Sequence, residues 1–317
     1  MELTDFLRGL KTPASIGRQI IRGETVNPKS QPQHVVILPY YCQTEVDRYQ
    51  KMADWMVENC RQPLDCTFLL AASPKATPSG QLLEAYSRIA PTISFQCPTQ
   101  IFGYPAGPSA MFWDSMDFIS QHFSGNGFSL WFESDMAAIK SDWLSRLSNE
   151  WFAGEGPPLV MGCYVPHVYK HRWLRKKKLI LTPHINGGAC YALDFAKRMP
   201  IAAREGVFDM SVYQYGRNIG RLKTTQQIAF STNERARRDL LDPKKCVLHG
   251  FMQDKDRFIE QCVAPMTPAE HQSKTWLSIR DAVEYLQRRI RVTFVRRGHR
   301  AMLENMLLAK QRLENQS

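Results

Sequence analysis

FSLWFESDM, residues 128–136, decides how this chain is read. The run is apolar until it meets Glu133 and Asp135, and the spacing predicts a buried strand that ends at those two acids. A carboxylate at the end of a buried strand costs free energy unless a cation or a hydrogen-bond donor satisfies it. Alternate strand residues face one side, so both acids would reach the same ion. Composition alone would place about three acid-x-acid pairs in such a chain. Three occur, at 45/47, 133/135 and 254/256, so position and not rarity singles out the middle one. The competing account is a pair of helix-capping or salt-bridged acids at a strand exit.

Working outward, HVVILPYY (34–41), CTFLLAA (66–72) and TISFQC (92–97) are further continuous apolar runs, each predicting a strand covered on both faces. Thr44-x-x-Asp47 predicts a capping-box start for a helix carrying Tyr49, Met52, Ala53, Met56, Val57 and Cys60. Gly103-Tyr-Pro-Ala-Gly-Pro-Ser109 reads as a loop opening a helix with Phe112, Met116, Ile119 and Phe123 on one face. Ser141 is the expected cap of a helix with Leu144, Leu147 and Trp151, and PLVMGCYV (158–165) and ACYALDFA (189–196) are expected strands. This alternation predicts an α/β fold, a mostly parallel Rossmann-like sheet flanked by helices, with ligands at the carboxyl ends of its strands.

The expected organisation is an N-terminal arm over 1–33, a catalytic domain over 34–262 and a C-terminal extension of basic helices over 263–317, broken near Arg297-Gly298. The chain has 317 residues with 44% apolar and 11% aromatic side chains, enough for a real core. No stretch approaches the roughly 20 apolar residues of a membrane span, and MELTDFLRGL lacks a signal peptide's apolar run. Eight cysteines without a C-x-x-C pair argue against a tetrathiolate zinc site. A cytoplasmic location is the expectation.

No G-x-G-x-x-G, G-x-x-x-x-G-K-[ST], G-x-S-x-G or H-E-x-x-H is present, which argues against dinucleotide, P-loop, common hydrolase and zincin chemistry. His167 and His171 read as loop histidines. Two further segments stand out. HINGGACYALD (184–194) places two glycines before an expected strand, where backbone approaches a ligand closely. KCVLHGFMQDK (245–255) gives a short strand ending in His249-Gly250.

Together these pieces resemble the GT-A class of nucleotide-sugar glycosyltransferases over residues 34–260. FESD is similar to the acidic motif with which that class holds Mn²⁺ or Mg²⁺ on the donor diphosphate, and VLHG to a late histidine that completes the metal site. The resemblance thus implies Glu133, Asp135 and His249 as metal ligands. It implies Pro39, Tyr40, Tyr41, Gly107 and Ser134 on the donor side, with Tyr40 or Tyr41 stacking on the base of a UDP-sugar or, second, a GDP-sugar. Asn186, Gly187, Gly188, Trp173 and Lys176 fall on the acceptor side. Asp209 is the implied catalytic base, with Asp194 its rival. GYPAGPSAMF is similar to a G-P-N-x-M-F stretch of bacterial and phage members, with Ser109 where they have Asn.

The formal net charge is +11. Cations cluster at Lys170, Arg172 and Arg175 to Lys178, interleaved with Tyr169 and Trp173; at Arg235, Arg237, Arg238, Lys244 and Lys245; and from Arg288 to Arg300. Such clusters favour a polyanionic partner. The expected acceptor is a hydroxymethylated pyrimidine in DNA, as in phage DNA modification, which would place the protein in the cytoplasm of a bacterial host. A cell-surface or lipid-linked glycan is the alternative acceptor, and a catalytically inactive nucleic-acid-binding protein the alternative of another class.

Overall fold

The computed structural model describes residues 34–154, 156–165, 168–170, 179–181, 183–250 and 254–265, with the backbone alone at 168–170 and 179–181. The N-terminal arm, Trp173, Lys176, most of the first cationic loop and the C-terminal helices lie outside the described residues.

The apolar runs become the centre of a seven-stranded sheet. Strands β1 (His34–Tyr40) and β2 (Cys66–Ala72) are buried along their whole length, β3 (Thr92–Gln96) forms an edge, and β4 (Phe128–Trp131) is fully buried. Continuous apolar sequence is what such strands require, because side chains on both faces meet helices. Helix α1 (Gln43–Asn59) buries Val46, Tyr49, Met52, Ala53 and Met56 at helical spacing. Helices α2 (Gly80–Ser87) and α3 (Ala106–His122) follow β2 and β3. Beyond β4 come β5 (Met136–Ala138), α4 (Trp143–Phe152), β6 (Val160–Val165), the short antiparallel pair β7 (Val168–Lys170) and β8 (Leu179–Leu181), and β9 (His184–Ala192). Then follow α5 (Phe195–Arg198), α6 (Phe208–Asn218), β10 (Leu222–Thr224), β11 (Ile228–Ser231), α7 (Asn233–Asp239), β12 (Val247–Gly250) and α8 (Lys255–Val263).

The main sheet runs β10-β6-β9-β4-β1-β2-β3. Neighbours pair in parallel except at β9, which is antiparallel to both β4 and β6. That reversal brings the start of β9 to the sheet edge where β1 and β4 end. A second sheet runs β11-β12-β5.

Four local expectations are corrected. The run 128–136 is not one strand: β4 stops at Trp131, residues 134–135 turn, and β5 joins the second sheet, with Met136 N–H donating to the Glu133 carbonyl at 2.8 Å. The acids therefore sit on a turn and not on alternate positions of a strand. The glycines of HINGG lie inside β9 and not before it. Helix α1 begins after Cys42 with no side-chain cap, and Glu45 in its first turn instead accepts the Tyr41 N–H at 2.6 Å. Helix α4 begins after Asp142 and not Ser141. Caps are chosen by how a helix docks, which local spacing does not encode.

Candidate metal and donor site

The site is assembled at the carboxyl edge of β1 and β4. The Tyr49 hydroxyl shares its proton between the carbonyls of Pro39 (3.0 Å) and Phe132 (2.7 Å), binding the end of β1 to the acidic turn. From the other side, Gly250 N–H donates to the Asp135 carbonyl at 2.8 Å, and His249 pairs in register with Met136.

These constraints bring three side chains together. His249 Nε2 lies 3.4 Å from Glu133 Oε2 and 3.2 Å from Asp135 Oδ1. One donor atom from each residue falls within 4.8 Å of the others. Asp135 and His249 are each 5% exposed. Despite the close histidine, among the described residues Asp135 Oδ1 has no well-formed hydrogen bond, and neither does His249 Nδ1. A buried carboxylate oxygen without a donor is an energetic cost that a cation would relieve. Two carboxylates and an imidazole suit a hard divalent ion such as Mn²⁺ or Mg²⁺, so the residues fit the metal the sequence implies.

The two glycines of β9 make room for this cluster. A Cβ at Gly188 would stand 2.6 Å from Met136 Sδ and 2.9 Å from His249 Nδ1. A Cβ at Gly187 would stand 2.4 Å from Phe208 Cζ and 3.1 Å from Glu133 Oε1. Any side chain at either position would displace the cluster or its supports.

Charge balance follows from burial and neighbours. Burial works to raise the Asp135 carboxyl, but His249 and Lys255 outweigh it and hold the group well below the carboxylate range. Burial likewise opposes charge on His249, yet Asp135 and Glu133 push the imidazole up to about 10. Lys255, the first residue of α8, places Nζ 2.8 Å from Asp135 Oδ2.

Asp209 lies in the first turn of α6, with Oδ2 3.6 Å from His184 Nε2 and Oδ1 buried with no hydrogen-bond partner among the described residues. Burial raises its carboxyl, His184 opposes the rise, and the charge of Glu133 adds to it. A carboxyl moved toward neutrality is suited to taking a proton. Ser109 helps place this turn: its Oγ accepts the Phe208 N–H at 3.3 Å, and Phe208 stacks on Phe112 at 4.1 Å.

The remaining expected residues divide. Tyr41 is 37% exposed at the end of β1, whereas Tyr40 is 1% exposed and its hydroxyl accepts the Ser79 N–H at 3.0 Å. The Tyr40 ring therefore has no open face for a base. Ser134 Oγ contacts Glu45 Oε1 and Arg48 Nη1, each at 3.3 Å. Pro39 is buried within β1, and Gly107 sits in the first turn of α3 against the backbone of Ile101 and Phe102. Asn186 Oδ1 accepts the Gly188 N–H at 3.0 Å. Asp194 is separated from all of these: β9 runs backward, its end at Ala192 pairs with Phe128 at the start of β4, and Asp194 binds Arg198 at 2.6 Å. It belongs to the opposite edge of the sheet, which removes it as Asp209's rival.

Sequence reading missed Glu45, Lys255 and His184. Glu45 had a usable signal, as an acid in the first turn of the helix that follows a buried strand. Of the second cationic group, Arg237 donates to the carbonyls of Gln261, Ala264 and Pro265, and Lys245 pairs with Asp239 and Asp242.

No protein-family model and no curated protein matches the chain. Several solved structures do. The glycosyltransferase GlyE of Streptococcus pneumoniae TIGR4 is 9% identical, with a TM-score of 0.42, over 76% of this chain and 63% of that one. Galactosyltransferase LgtC in complex with donor and acceptor sugar analogs is 11% identical, with a TM-score of 0.42, over 76% and 99%. The mannosyltransferase PcManGT of Pyrobaculum calidifontis, in complex with GDP-Man and Mn²⁺, is 16% identical, with a TM-score of 0.41, over 61% and 55%. The chain is similar to each of these glycosyltransferases, at identities and TM-scores that assign it to no family.

Proposed function

We propose that the protein is a metal-dependent glycosyltransferase that moves a sugar from a nucleotide-diphosphate sugar to a hydroxyl acceptor. The observation that carries this reading is the cluster of half-buried Glu133 with buried Asp135 and His249 at the carboxyl edge of the sheet, with Asp209 close enough to feel the charge of Glu133. Glu133, Asp135 and His249 would hold Mn²⁺ or Mg²⁺, whose charge offsets that developing on the departing diphosphate.

The other roles belong to the chain itself. Tyr41 lays its exposed ring against the nucleotide base, UDP being favoured over GDP. Asp209 takes the proton of the acceptor hydroxyl, and His184 stands behind it. Asn186, Gly187 and Gly188 border the acceptor side, where the glycines let the β9 backbone lie directly against Phe208, Met136 and His249. Intact acids at the metal position favour an enzyme over an inactive nucleic-acid binder.

For the acceptor we propose a hydroxymethylated pyrimidine in DNA. What supports it is the cationic sequence of residues 170–178 and 288–300, since Arg237 and Lys245 of the second group are occupied internally. The test is transfer of labelled sugar from UDP- and GDP-sugars, with Mn²⁺, to hydroxymethylated duplex DNA and to a panel of glycans. Label in DNA that requires Mn²⁺ and Asp135 supports the whole proposal. Label in glycan alone removes the DNA acceptor and keeps the transferase, and no transfer or donor hydrolysis in any arm contradicts the enzyme.

A further inference from the structure

The proposed metal site already contains a cation. Lys255 Nζ lies 2.8 Å from Asp135 Oδ2, with the lysine side chain 45% exposed and the aspartate 7%. The charges of Glu133 and Glu45 also act on this ammonium. Its backbone is held on both sides. Asp254 caps α8 by accepting the Arg257 N–H at 3.1 Å, Asp256 pairs with Arg48 at 2.7 Å, and Glu260 pairs with Lys51 at 2.7 Å. Helix α8 is thereby fixed to α1, and only the four-carbon stem of Lys255 is left to move.

We infer that Lys255 is a built-in competitor of the divalent cation, occupying Asp135 in the metal-free protein and giving way when a metal enters. The inference rests on reading Glu133, Asp135 and His249 as the metal site. Like charges cannot share one carboxylate without repulsion, and that repulsion is strong in a buried site. Entry of a metal thus requires the ammonium to swing toward solvent, the side on which its stem is already half exposed. In the resting protein Lys255 pairs with Oδ2 of Asp135 and offsets part of the cost of burying that charge, while Oδ1 keeps no donor among the described residues. The consequence is a site that holds a metal loosely until Lys255 is elsewhere.

The test is the dissociation constant of Mn²⁺, read from the electron paramagnetic resonance of the free ion in titrations of the full chain. Lys255→Met is expected to tighten Mn²⁺ binding by about two- to fivefold, the scale of losing one partly exposed ion-pair competitor. Lys255→Arg retains the cation and should bind Mn²⁺ as the parent does. Lys51→Met removes a nearby charge that does not touch Asp135 and should leave the constant unchanged. Circular dichroism confirms that each variant is folded. Unchanged or weaker binding by Lys255→Met, or an equal gain in Lys51→Met, would overturn the inference while leaving the metal site standing. If no protein binds Mn²⁺, or if Asp135→Asn binds it as the parent does, the metal-site reading fails and the inference falls with it.

Discussion

Gly188 and His249 are packed so closely that a Cβ on the glycine would come within 2.9 Å of the imidazole Nδ1. Met136 Sδ, the other obstacle at 2.6 Å, belongs to a flexible side chain that can turn aside, but the buried ring of His249 cannot. Gly188→Ala is therefore expected to destabilise the protein by about 1–3 kcal/mol and to rotate His249 out of position. Chemical denaturation and Mn²⁺ titration check it; undiminished metal binding would show that His249 is not a ligand.

The tyrosines at the end of β1 should separate by role. Tyr40→Phe removes the acceptor of the Ser79 N–H and is expected to cost about 1 kcal/mol of stability with nucleotide affinity intact. Tyr41→Ala should cost little stability but weaken nucleotide binding by roughly tenfold, the worth of a lost stacking surface. Calorimetric titration with UDP and GDP distinguishes them, and the reverse pattern would refute the assignment.

Asp209→Asn keeps size and removes the basic oxygen. Turnover is expected to fall by about 10²–10⁴, with nucleotide affinity and fold retained. Single-turnover transfer with saturating donor is the measurement. Asp194→Asn, at the other edge of the sheet, should behave as the parent protein does.

Two histidines give the metal-free protein opposite pH dependences. His34 stacks on Phe128 at 4.0 Å and accepts its N–H, and burial lowers the ring to about 4 against a weaker raising effect of Asp65. Between 6.5 and 4 the unfolded chain binds the proton that the native ring refuses, so stability falls with pH across that window, by about 3 kcal/mol, and levels off below it. His249 is raised to about 10, so its contribution is complete below 6.5 and is lost as pH climbs toward 10. Stability in EDTA should peak near pH 6.5. His34→Gln should flatten the acid side alone, and an unchanged acid limb would contradict the account.

What the sequence made legible follows from its physics. CTFLLAA is apolar throughout because β2 is covered on both faces, so its limits were read residue for residue. The break between Trp131 and Met136 was not legible, because a chain leaving one sheet for another stays apolar on both sides of the turn. Glu133 and Asp135 stood out as acids closing an apolar run, whereas His249 joined them only through the resemblance. Asp194 stayed on the page as the rival of Asp209, since nothing local reveals that β9 runs backward and carries Asp194 to the other edge. Lys255 was hidden in a polar stretch, its meaning fixed only when α8 docks against α1.

The central claim is a metal-dependent nucleotide-diphosphate site at Glu133, Asp135 and His249. Thermal unfolding with UDP and GDP, each in Mn²⁺ and in EDTA, tests it most directly in the parent chain and in Asp135→Asn. The account predicts that one nucleotide stabilises the parent only with Mn²⁺, by about 2.7 kcal/mol at a hundredfold excess over its dissociation constant, and that Asp135→Asn abolishes the effect. Stabilisation that persists in EDTA or in Asp135→Asn, or none with either nucleotide, would contradict it.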